Sequence, residues 1–307
     1  MDIKELEWLE IFLWYKCTVR CSFCYQKNLR NKFLTNINKK NVLSLIDDWY
    51  LNWKKFIIFS WWEPTLDKNL AFYIEYAKNI WYKYIRVHTN WFGFSDYDYL
   101  YDLYKKWLNW ITISVHWYWI IHDNISKVKW SFNIIVKALI NFERLKKIDS
   151  SFIIDTNTVI CKENYKNIYK LIYLLCKFSI TRGQIVLSYS LDLFDREEKK
   201  KIIPEYSFII KYILKALDVS IYFDKKFVLE NFPFCVVNKN YWNKILSNIK
   251  INKSSITLNE WNIWNTNLTW VMKTKKCNDC KIKDICRWLP KDYYEIYWDN
   301  CLKTIYD

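Results

Sequence analysis

Residues 56 to 89 read FIIFSWWEPTLDKNLAFYIEYAKNIWYKYIRVHT and contain one complete unit of the predicted fold. The apolar run 56–60 predicts a buried strand, the amphipathic run 70–80 predicts a helix, and residues 85–89 predict the next strand. Two parallel strands need a long crossover connection, usually a helix. This order therefore indicates a parallel sheet covered by helices.

The same alternation extends from residue 7 to about residue 190 and predicts an α/β protein. Strands are predicted at residues 9–13, 56–60, 85–89, 111–116, 153–160 and 184–189. Helices are predicted at residues 40–48, 70–80, 97–106, 131–147, 165–177 and 206–217. Six strands with six helices predict a partial (β/α)6 TIM-like barrel, in which the chemistry lies at the carboxyl ends of the strands.

From residue 225 the pattern changes to short irregular pieces with many cysteines. We therefore predict two domains, a core barrel over residues 1–224 and a small Cys-rich domain over residues 225–307.

The chain has 307 residues, 52% hydrophobic and 26% charged, which excludes intrinsically disordered and collagen-like proteins. Its formal net charge of +15 is compatible with an acidic partner such as RNA. The basic residues are scattered, however, which favours solvated faces over nucleic-acid binding. No apolar targeting segment and no run of roughly 18 apolar residues is evident. We expect a cytoplasmic protein without membrane contact, in which ten cysteines favour metal ligation over disulfides.

The chain contains 2 glycines and 19 tryptophans, whereas about 21 glycines are expected at this length. The two counts together equal the expected number of glycines. Most tryptophan codes therefore stand for glycine in our interpretation, as if UGA codons had been read under the wrong genetic code. Trp81 and Trp107 each follow a predicted helix, where a left-handed residue without a Cβ is normally needed. The alternative is a genuinely tryptophan-rich protein that forms its tight turns at a steric cost.

Three cysteines, Cys17, Cys21 and Cys24, directly follow the first predicted strand. Thiolates with this spacing can bind three corners of a cubic four-iron cluster and leave one iron open for a chelating ligand. The alternatives are three buried loop cysteines, or a zinc site that lacks its fourth ligand.

The pattern CxxxCxxC with an aromatic residue, Phe23, before its last cysteine resembles the radical S-adenosylmethionine (radical SAM) superfamily. The resemblance implies that the open iron binds the amino and carboxylate groups of S-adenosylmethionine, and that Phe23 packs near its adenine. With glycine read for tryptophan, residues 61–64 become GGEP, which is similar to the family's motif for the methionyl amino group. Trp61, Trp62 and Glu63 then belong to the cofactor site, where Glu63 can pair with the ammonium group. As written, the two indoles would lie where the cofactor belongs.

Further residues that resemble the family's motifs lie at later predicted strand ends. Ser114 is a candidate contact to the cofactor ribose, Asn157 is a candidate contact to its adenosyl or carboxylate group, and His116 is placed at the barrel mouth. Residues 122–123 (HD) with 130–132, read as GSF, resemble a pattern of peptide-modifying members. The alternative for these residues is a capping or loop hydrogen bond, or an ordinary interior amide at Asn157.

The tail contains a second candidate metal site, formed by Cys235, Cys277, Cys280 and Cys286. Read with glycine at 288 and 298, this segment resembles the SPASM or twitch extension, which holds an auxiliary iron–sulfur cluster. Cys301 is an alternative fourth ligand, and a tetrahedral zinc site is an alternative to the cluster. Cys161 and Cys176 lie in apolar runs and are expected to be core residues.

The resemblance implies an enzyme that reductively cleaves S-adenosylmethionine at a [4Fe–4S] cluster to a 5′-deoxyadenosyl radical, which takes hydrogen from a substrate. The expected substrate is a peptide or protein side chain, and the expected electron donor is a flavodoxin or ferredoxin. No residue is assigned to catalysis itself. The alternatives are a radical SAM enzyme that modifies RNA, and a non-enzymatic electron carrier or scaffold with an iron–sulfur or zinc centre. A carrier needs protein ligands on every iron, whereas the first motif supplies three.

Overall fold

The computed structural model describes residues 8–13, 16–24, 38–51, 55–188, 194–246, 253–256, 263–265 and 270–306. In this part of the chain one large sheet has the strand order β7-β6-β5-β4-β3-β2-β1-β8-β9. Its strands are β1 (Trp8–Phe12), β2 (Phe56–Ser60), β3 (Tyr84–Thr89), β4 (Trp110–Ser114), β5 (Ile153–Ile160), β6 (Arg182–Leu187), β7 (Phe227–Glu230), β8 (Lys253–Ile256) and β9 (Ile263–Asn265). Neighbouring strands from β7 through β1 to β8 are parallel, whereas β9 is antiparallel to β8.

Helices connect the parallel strands and cover the sheet. They are α1 (Lys39–Leu51), α2 (Leu70–Asn79), α3 (Tyr97–Lys105), α4 (Ile120–Ser126), α5 (Ser131–Ile148), α6 (Ile168–Leu175), α7 (Arg196–Ile202), α8 (Tyr206–Tyr222) and α9 (Lys291–Tyr297). In the tail, two short strands, β10 (Val271–Met272) and β11 (Leu289–Pro290), pair antiparallel. None of the described helices is long and apolar enough to cross a membrane.

The predicted α/β fold is confirmed, since all six predicted strands and all six predicted helices occur in order. The parallel strands are consistent with a partial barrel, and the described strands do not close into a ring. The prediction missed β7, which pairs with β6 although it lies beyond residue 225. It also missed the short helices α4, α7 and α9. The division into domains at residue 225 stays a prediction.

Alternate residues of each strand point to opposite faces of the sheet. One face packs against the helices, and its residues Leu9, Ile57, Ile85 and Ile111 have no exposed surface. The other face carries a small apolar cluster at the amino ends of the strands, formed by Trp8, Phe56, Ile58 and Trp110. Strands buried on both faces read as nearly continuous apolar runs, as residues 56–60 do.

Charged side chains lie above that apolar cluster. The Asp155 carboxylate on β5 accepts a hydrogen bond from Arg182 over 2.6 Å and from the Trp110 indole over 3.1 Å. Arg86 on β3 lies 4.0 Å from the same carboxylate, and burial lowers the pKa of its guanidinium to about 10. These paired charges lie in the amino-terminal halves of β3, β5 and β6, beside the apolar cluster.

Nine of the tryptophans in the described ranges have a left-handed backbone, with φ between 51° and 88°. They are Trp61, Trp62, Trp81, Trp91, Trp107, Trp119, Trp130, Trp288 and Trp298. Among the described non-glycine residues, Lys127, Asp224 and Asn231 share this conformation. A residue with a Cβ adopts it at a cost of roughly 1–2 kcal/mol, and glycine adopts it freely.

Candidate functional site

The loop at residues 16–24, after the carboxyl end of β1, carries Cys17, Cys21 and Cys24, and all three are partly buried. The Asn90 amide, at the end of β3, donates to the Cys17 Sγ over 3.2 Å, and such donors stabilise a thiolate. Within the described ranges, no group of three His, Cys, Asp or Glu side chains is arranged to hold a single metal ion. The donor set is three thiols on one short loop, and this chemistry fits three corners of a four-iron cluster.

Neighbouring elements hold this loop by hydrogen bonds. The Arg20 N–H donates to the Ser126 carbonyl over 2.8 Å. The Ser22 N–H donates to the Ile125 carbonyl over 3.0 Å. The Ser22 hydroxyl donates to Glu163 Oε1 over 2.6 Å. The loop is therefore fixed from the end of α4 and from the connection that follows β5.

Glu63, at the end of β2, is fully buried and linked to the same loop, since its N–H donates to the Lys16 carbonyl over 3.1 Å. Its Oε1 accepts from the Thr65 N–H and hydroxyl over 3.2 and 2.5 Å. The Thr89 hydroxyl and the Asn90 N–H also donate to the carboxylate, over 2.6 and 2.7 Å. Burial raises the pKa of Glu63 despite these bonds. Glu63 therefore braces the ends of β2 and β3, and its pairing with a cofactor ammonium stays a prediction.

Trp61 and Trp62 lie directly beside the cysteine loop. The Trp61 ring stacks on Phe12, with the centroids 3.7 Å apart, and the Cys17 thiol lies 3.7 Å from the Trp62 carbonyl. Both residues have the left-handed backbone, with φ of 70° and 51°. The segment that resembles GGEP thus has a glycine-like backbone next to the first cysteine.

Phe23 and His116 form one wall of the site. Their rings meet edge to face with centroids 4.7 Å apart, and both residues are buried. The Val159 N–H donates to His116 Nδ1 over 3.3 Å, so this nitrogen is the acceptor. Burial, with His122 and His88 nearby, holds the pKa of His116 well below its ordinary value. A neutral, apolar wall of this kind suits a stacked aromatic group.

Ser114, the last residue of β4, and Asn157, in the middle of β5, lie side by side as partners in the strand register. Both belong to the face of the sheet that also carries Trp110 and Asp155, called the inner face below. The Asn157 Oδ1 is buried and has no hydrogen-bond partner in the described structure. The two predicted cofactor contacts are therefore brought together, with an acceptor left open for a ligand's donor.

Asp123 caps α5. Its carboxylate accepts from the Trp130 N–H over 2.6 Å, the Ser131 hydroxyl over 2.7 Å and the Phe132 N–H over 3.0 Å. The capping alternative given for the HD and GSF segments is therefore confirmed for Asp123.

The tail cysteines surround one small cavity. It is lined by Cys235, Cys277, Cys280 and Cys286 together with apolar residues and lysines. Burial raises the pKa of the Cys235 thiol to about 12, and the nearby thiols act in the same direction. Cys301 is outside the cavity lining and hydrogen-bonds with Tyr293, and it is one of the thiols that raise the pKa of Cys235. The cavity thus brings together the four predicted ligands.

Cys161 and Cys176 are buried core residues, as expected. Burial raises the pKa of these thiols to about 12 and about 11. Both are therefore protonated at neutral pH and lie apart from the two candidate metal sites.

The sequence analysis did not predict a set of linked polar side chains that connects the tail with β7 and β6. Arg287, next to Cys286, forms an ion pair with Glu230, which also accepts from Gln184. These side chains connect the tail to the inner face of the sheet. The one signal in the sequence is an arginine directly after a candidate ligand, which is too weak to identify its partner.

Residues 11–175 match the Radical SAM superfamily. The chain is similar to SuiB of Streptococcus suis in complex with its precursor peptide SuiA, at 13% identity and a TM-score of 0.63. This match covers 96% of this chain and 75% of that chain. Another SuiB structure matches 72% of this chain, at 14% identity and a TM-score of 0.55. The match spans about half, 49%, of that chain's length.

The chain is also similar to native anSMEcpe with bound AdoMet, at 14% identity and a TM-score of 0.59. That match covers 98% of this chain and 94% of that chain. No curated protein sequence matches the chain. At these identities the structural matches show a similar fold and nothing further.

Proposed function

Because the chain belongs to the radical SAM superfamily and is an enzyme, we propose that it takes a hydrogen atom from a peptide or protein side chain. The family implies a [4Fe–4S] cluster and S-adenosylmethionine. When bound, these groups supply a reductive cleavage that yields methionine and a 5′-deoxyadenosyl radical. The observation that carries the proposal is the contact between the Cys17 loop and residues 61–63 at neighbouring strand ends.

Cys17, Cys21 and Cys24 are the proposed cluster ligands. The Asn90 amide, which donates to the Cys17 sulfur over 3.2 Å, holds that thiolate toward the site. Donors to a ligating sulfur raise the reduction potential of a cluster. Asn90 also donates to the Thr18 hydroxyl over 2.8 Å, so the end of β3 orients the first turn of the loop.

The remaining cofactor contacts come from three strand ends. Phe23 on its His116 support provides the apolar wall for the adenine. Ser114 and the open Asn157 Oδ1 provide polar contacts to the hydroxyl groups of the sugar.

We propose further that most of the tryptophan codes stand for glycine. The left-handed backbone of nine tryptophans supports this, and two of them form the segment beside Cys17. Glycine at 61 and 62 removes the indoles and lets main-chain groups approach the methionyl end of the cofactor. We expect Trp61→Gly with Trp62→Gly to restore S-adenosylmethionine binding in an equilibrium titration. Equal binding by both forms would contradict this proposal.

The cavity in the tail supports an auxiliary iron–sulfur cluster held by Cys235, Cys277, Cys280 and Cys286. Four protein ligands close a cluster, so its role would be electron transfer. Zinc remains the alternative occupant. Cys301→Ala is expected to keep the tail metal and Cys235→Ala to lose it, because Cys301 is engaged with Tyr293 outside the cavity. If Cys301→Ala loses the tail metal and Cys235→Ala keeps it, Cys301 rather than Cys235 is the fourth ligand.

A peptide substrate is supported by what the similar proteins bind. SuiB is recorded with its precursor peptide SuiA, and anSMEcpe with AdoMet and the Kp18Cys peptide. We propose the same substrate class here, a flavodoxin or ferredoxin as electron donor, and a cytoplasmic location. Substrate binding that weakens steeply with salt would favour an RNA instead.

The test uses the chain with glycine at all 19 tryptophan codes, called the glycine form below. Anaerobic iron and sulfide contents and 5′-deoxyadenosine production under reductant are measured. We expect about eight irons per chain and formation of 5′-deoxyadenosine, as two four-iron clusters require. About four irons would remove the auxiliary cluster. No iron and no 5′-deoxyadenosine would overturn the proposed function and favour the scaffold alternative.

A further inference from the structure

The end of α4 carries the cysteine loop. The carbonyls of Ile125 and Ser126, the last two residues of the helix, accept the N–H groups of Ser22 and Arg20 over 3.0 and 2.8 Å. Carbonyls in the last turn of a helix have no partner within the helix and are open to such donors. Any shift of α4 therefore moves the loop between Cys17 and Cys24.

α4 itself is held to α5. A seven-residue helix is too short to be stable without outside contacts. Asp123 supplies them through its bonds to Trp130, Ser131 and Phe132 at the start of α5. These bonds place the two helices in one orientation.

The Ser131 hydroxyl is the centre of this junction. It donates to Asp123 over 2.7 Å, and it lies 2.8 Å from the Ser126 hydroxyl and 2.9 Å from His122 Nδ1. Ser126, Ser131 and His122 have no exposed surface. Three of the four polar side chains that meet here are thus fully buried, and Asp123 is partly exposed. A bond lost among the three leaves a buried group unsatisfied.

A second path runs from the junction to the loop. The His122 ring lies parallel to the His116 ring, with centroids 6.1 Å apart, and His116 supports Phe23. Phe23 immediately precedes Cys24. The junction therefore reaches the loop both through the α4 carbonyls and through the ring beneath Phe23.

We propose that His122, Asp123, Ser126 and Ser131 form a clamp that sets the position of the cysteine loop. This proposal rests on the proposed function, since it concerns how the first cluster meets its cofactor. The four residues are positioning residues, because no bond described for them reaches a cysteine. The chemistry they serve is the approach of the chelating amino and carboxylate groups to the open iron.

The first test uses the metal-free chain and needs no cofactor. Hydrogen exchange is measured over residues 17–24 in Ser131→Ala, Ser131→Thr and Asp123→Asn. We expect exchange roughly tenfold faster in Ser131→Ala and Asp123→Asn, because a lost capping bond releases α4. Ser131→Thr keeps the hydroxyl and should restore most of the protection.

Asp96→Asn is the matched control. Asp96 caps α3 in the same way, accepting from Asp98 N–H and Tyr99 N–H over 2.9 and 3.3 Å. No described bond joins it to the loop. Equal acceleration over residues 17–24 in Asp96→Asn and Asp123→Asn would overturn the clamp.

The second test uses the reconstituted glycine form. The electron paramagnetic resonance signal of the reduced first cluster is recorded while S-adenosylmethionine is added. We expect Asp123→Asn to need roughly tenfold more S-adenosylmethionine for the same spectral change, with no effect of Asp96→Asn. Unchanged titration in Asp123→Asn would contradict the clamp. Failure of the parent glycine form to assemble a cluster would overturn the proposed function, whereas the exchange test still decides the clamp.

Discussion

Trp81 and Trp107 end α2 and α3 in the conformation that residues with a Cβ avoid. Their φ values are 76° and 88°, and their side chains are 78% and 52% exposed. After each, the next N–H returns to a carbonyl of the helix, Tyr82 to Ala77 and Leu108 to Leu103. Exposed indoles give no burial energy to offset the strained backbone. The amino-acid composition and the backbone geometry therefore both indicate glycine at these two positions.

Trp81→Gly is expected to raise the free energy of unfolding by about 1 kcal/mol, because the left-handed strain disappears. Trp81→Ala removes the same exposed indole but keeps the Cβ, so its effect should be smaller. Urea unfolding of the metal-free chain measures both. If alanine stabilises as much as glycine, the gain comes from removal of the indole and the strain argument is wrong.

His122 makes the stability of the chain depend on pH. Burial lowers the pKa of its imidazole to about 4 from an ordinary 6.5, although Asp123 acts in the opposite direction. The unfolded chain therefore binds a proton between pH 6.5 and about pH 4 that the folded chain does not. Stability that is present above pH 6.5 is lost as the pH falls through this window.

Between about pH 7.5 and about pH 5 the parent chain should lose roughly 2 kcal/mol more unfolding free energy than His122→Gln. Urea midpoints of the metal-free proteins at the two pH values provide the comparison. His116 and Asp123, which face His122, are unchanged in both proteins. Identical pH slopes would show that His122 is not the titrating group.

Among the secondary-structure elements, α9 is docked by a buried ion cluster. Lys199 on α7 lies 2.8 Å from Asp292 and 2.6 Å from Glu295, and the side chains of Lys199 and Asp292 are 7% and 6% exposed. Tyr293 packs on Tyr206 of α8 beside this cluster, with ring centroids 4.4 Å apart. The tail helix α9 is thus bound to α7 by ion pairs and to α8 by aromatic packing.

Lys199→Met is expected to lower the free energy of unfolding by about 3 kcal/mol, because Asp292 is left buried without its cation. Lys199→Met combined with Asp292→Leu should recover much of this loss. Lys200→Met, on the exposed side of the same helix, is the control. Unfolding in urea measures all four proteins, and a double variant as unstable as the single one would contradict the pairing.

For the whole molecule, the tail with the second candidate metal site is linked to the large sheet through Glu230. Arg287, beside Cys286, pairs with this carboxylate at the end of β7, and Gln184 on β6 donates to it. The side chains of Glu230 and Arg287 are about one-seventh exposed, at 15% and 13%. The tail is therefore connected to the inner face of the sheet, while the cysteines of the two sites remain separate sets.

Loss of Cys277 and Cys280 together is expected to halve the iron content of the glycine form. Production of 5′-deoxyadenosine without substrate should persist, because Cys17, Cys21 and Cys24 follow β1, whereas the tail contacts β6 and β7. Cys176→Ala removes a core thiol and should leave the iron unchanged. Unchanged iron after the double substitution would exclude both cysteines as ligands.

Local sequence patterns were enough to predict much of this fold. The apolar run of β2, the amphipathic run of α2 and the short turns between them define a βα unit without reference to the rest of the chain. β7 has four residues, and α4 and α9 have seven each, so their periodicity is too brief to detect. These short elements form because a neighbouring strand or helix supplies bonds that they cannot form alone.

The amino-acid sequence alone is enough to predict the order of strands and helices, the triplet Cys17, Cys21 and Cys24, and the excess of tryptophan at glycine-like turns. Each depends on residue type and on spacing within a short segment. The folded structure was needed to show that donors after β2 and β3 converge on the Glu63 carboxylate, and that α4 carries the cysteine loop. Thr89 and Asn90 lie 26 and 27 positions from Glu63, and the bonds between the loop and α4 join residues 103 and 106 positions apart. Such contacts are set by packing of the sheet and helices rather than by local sequence.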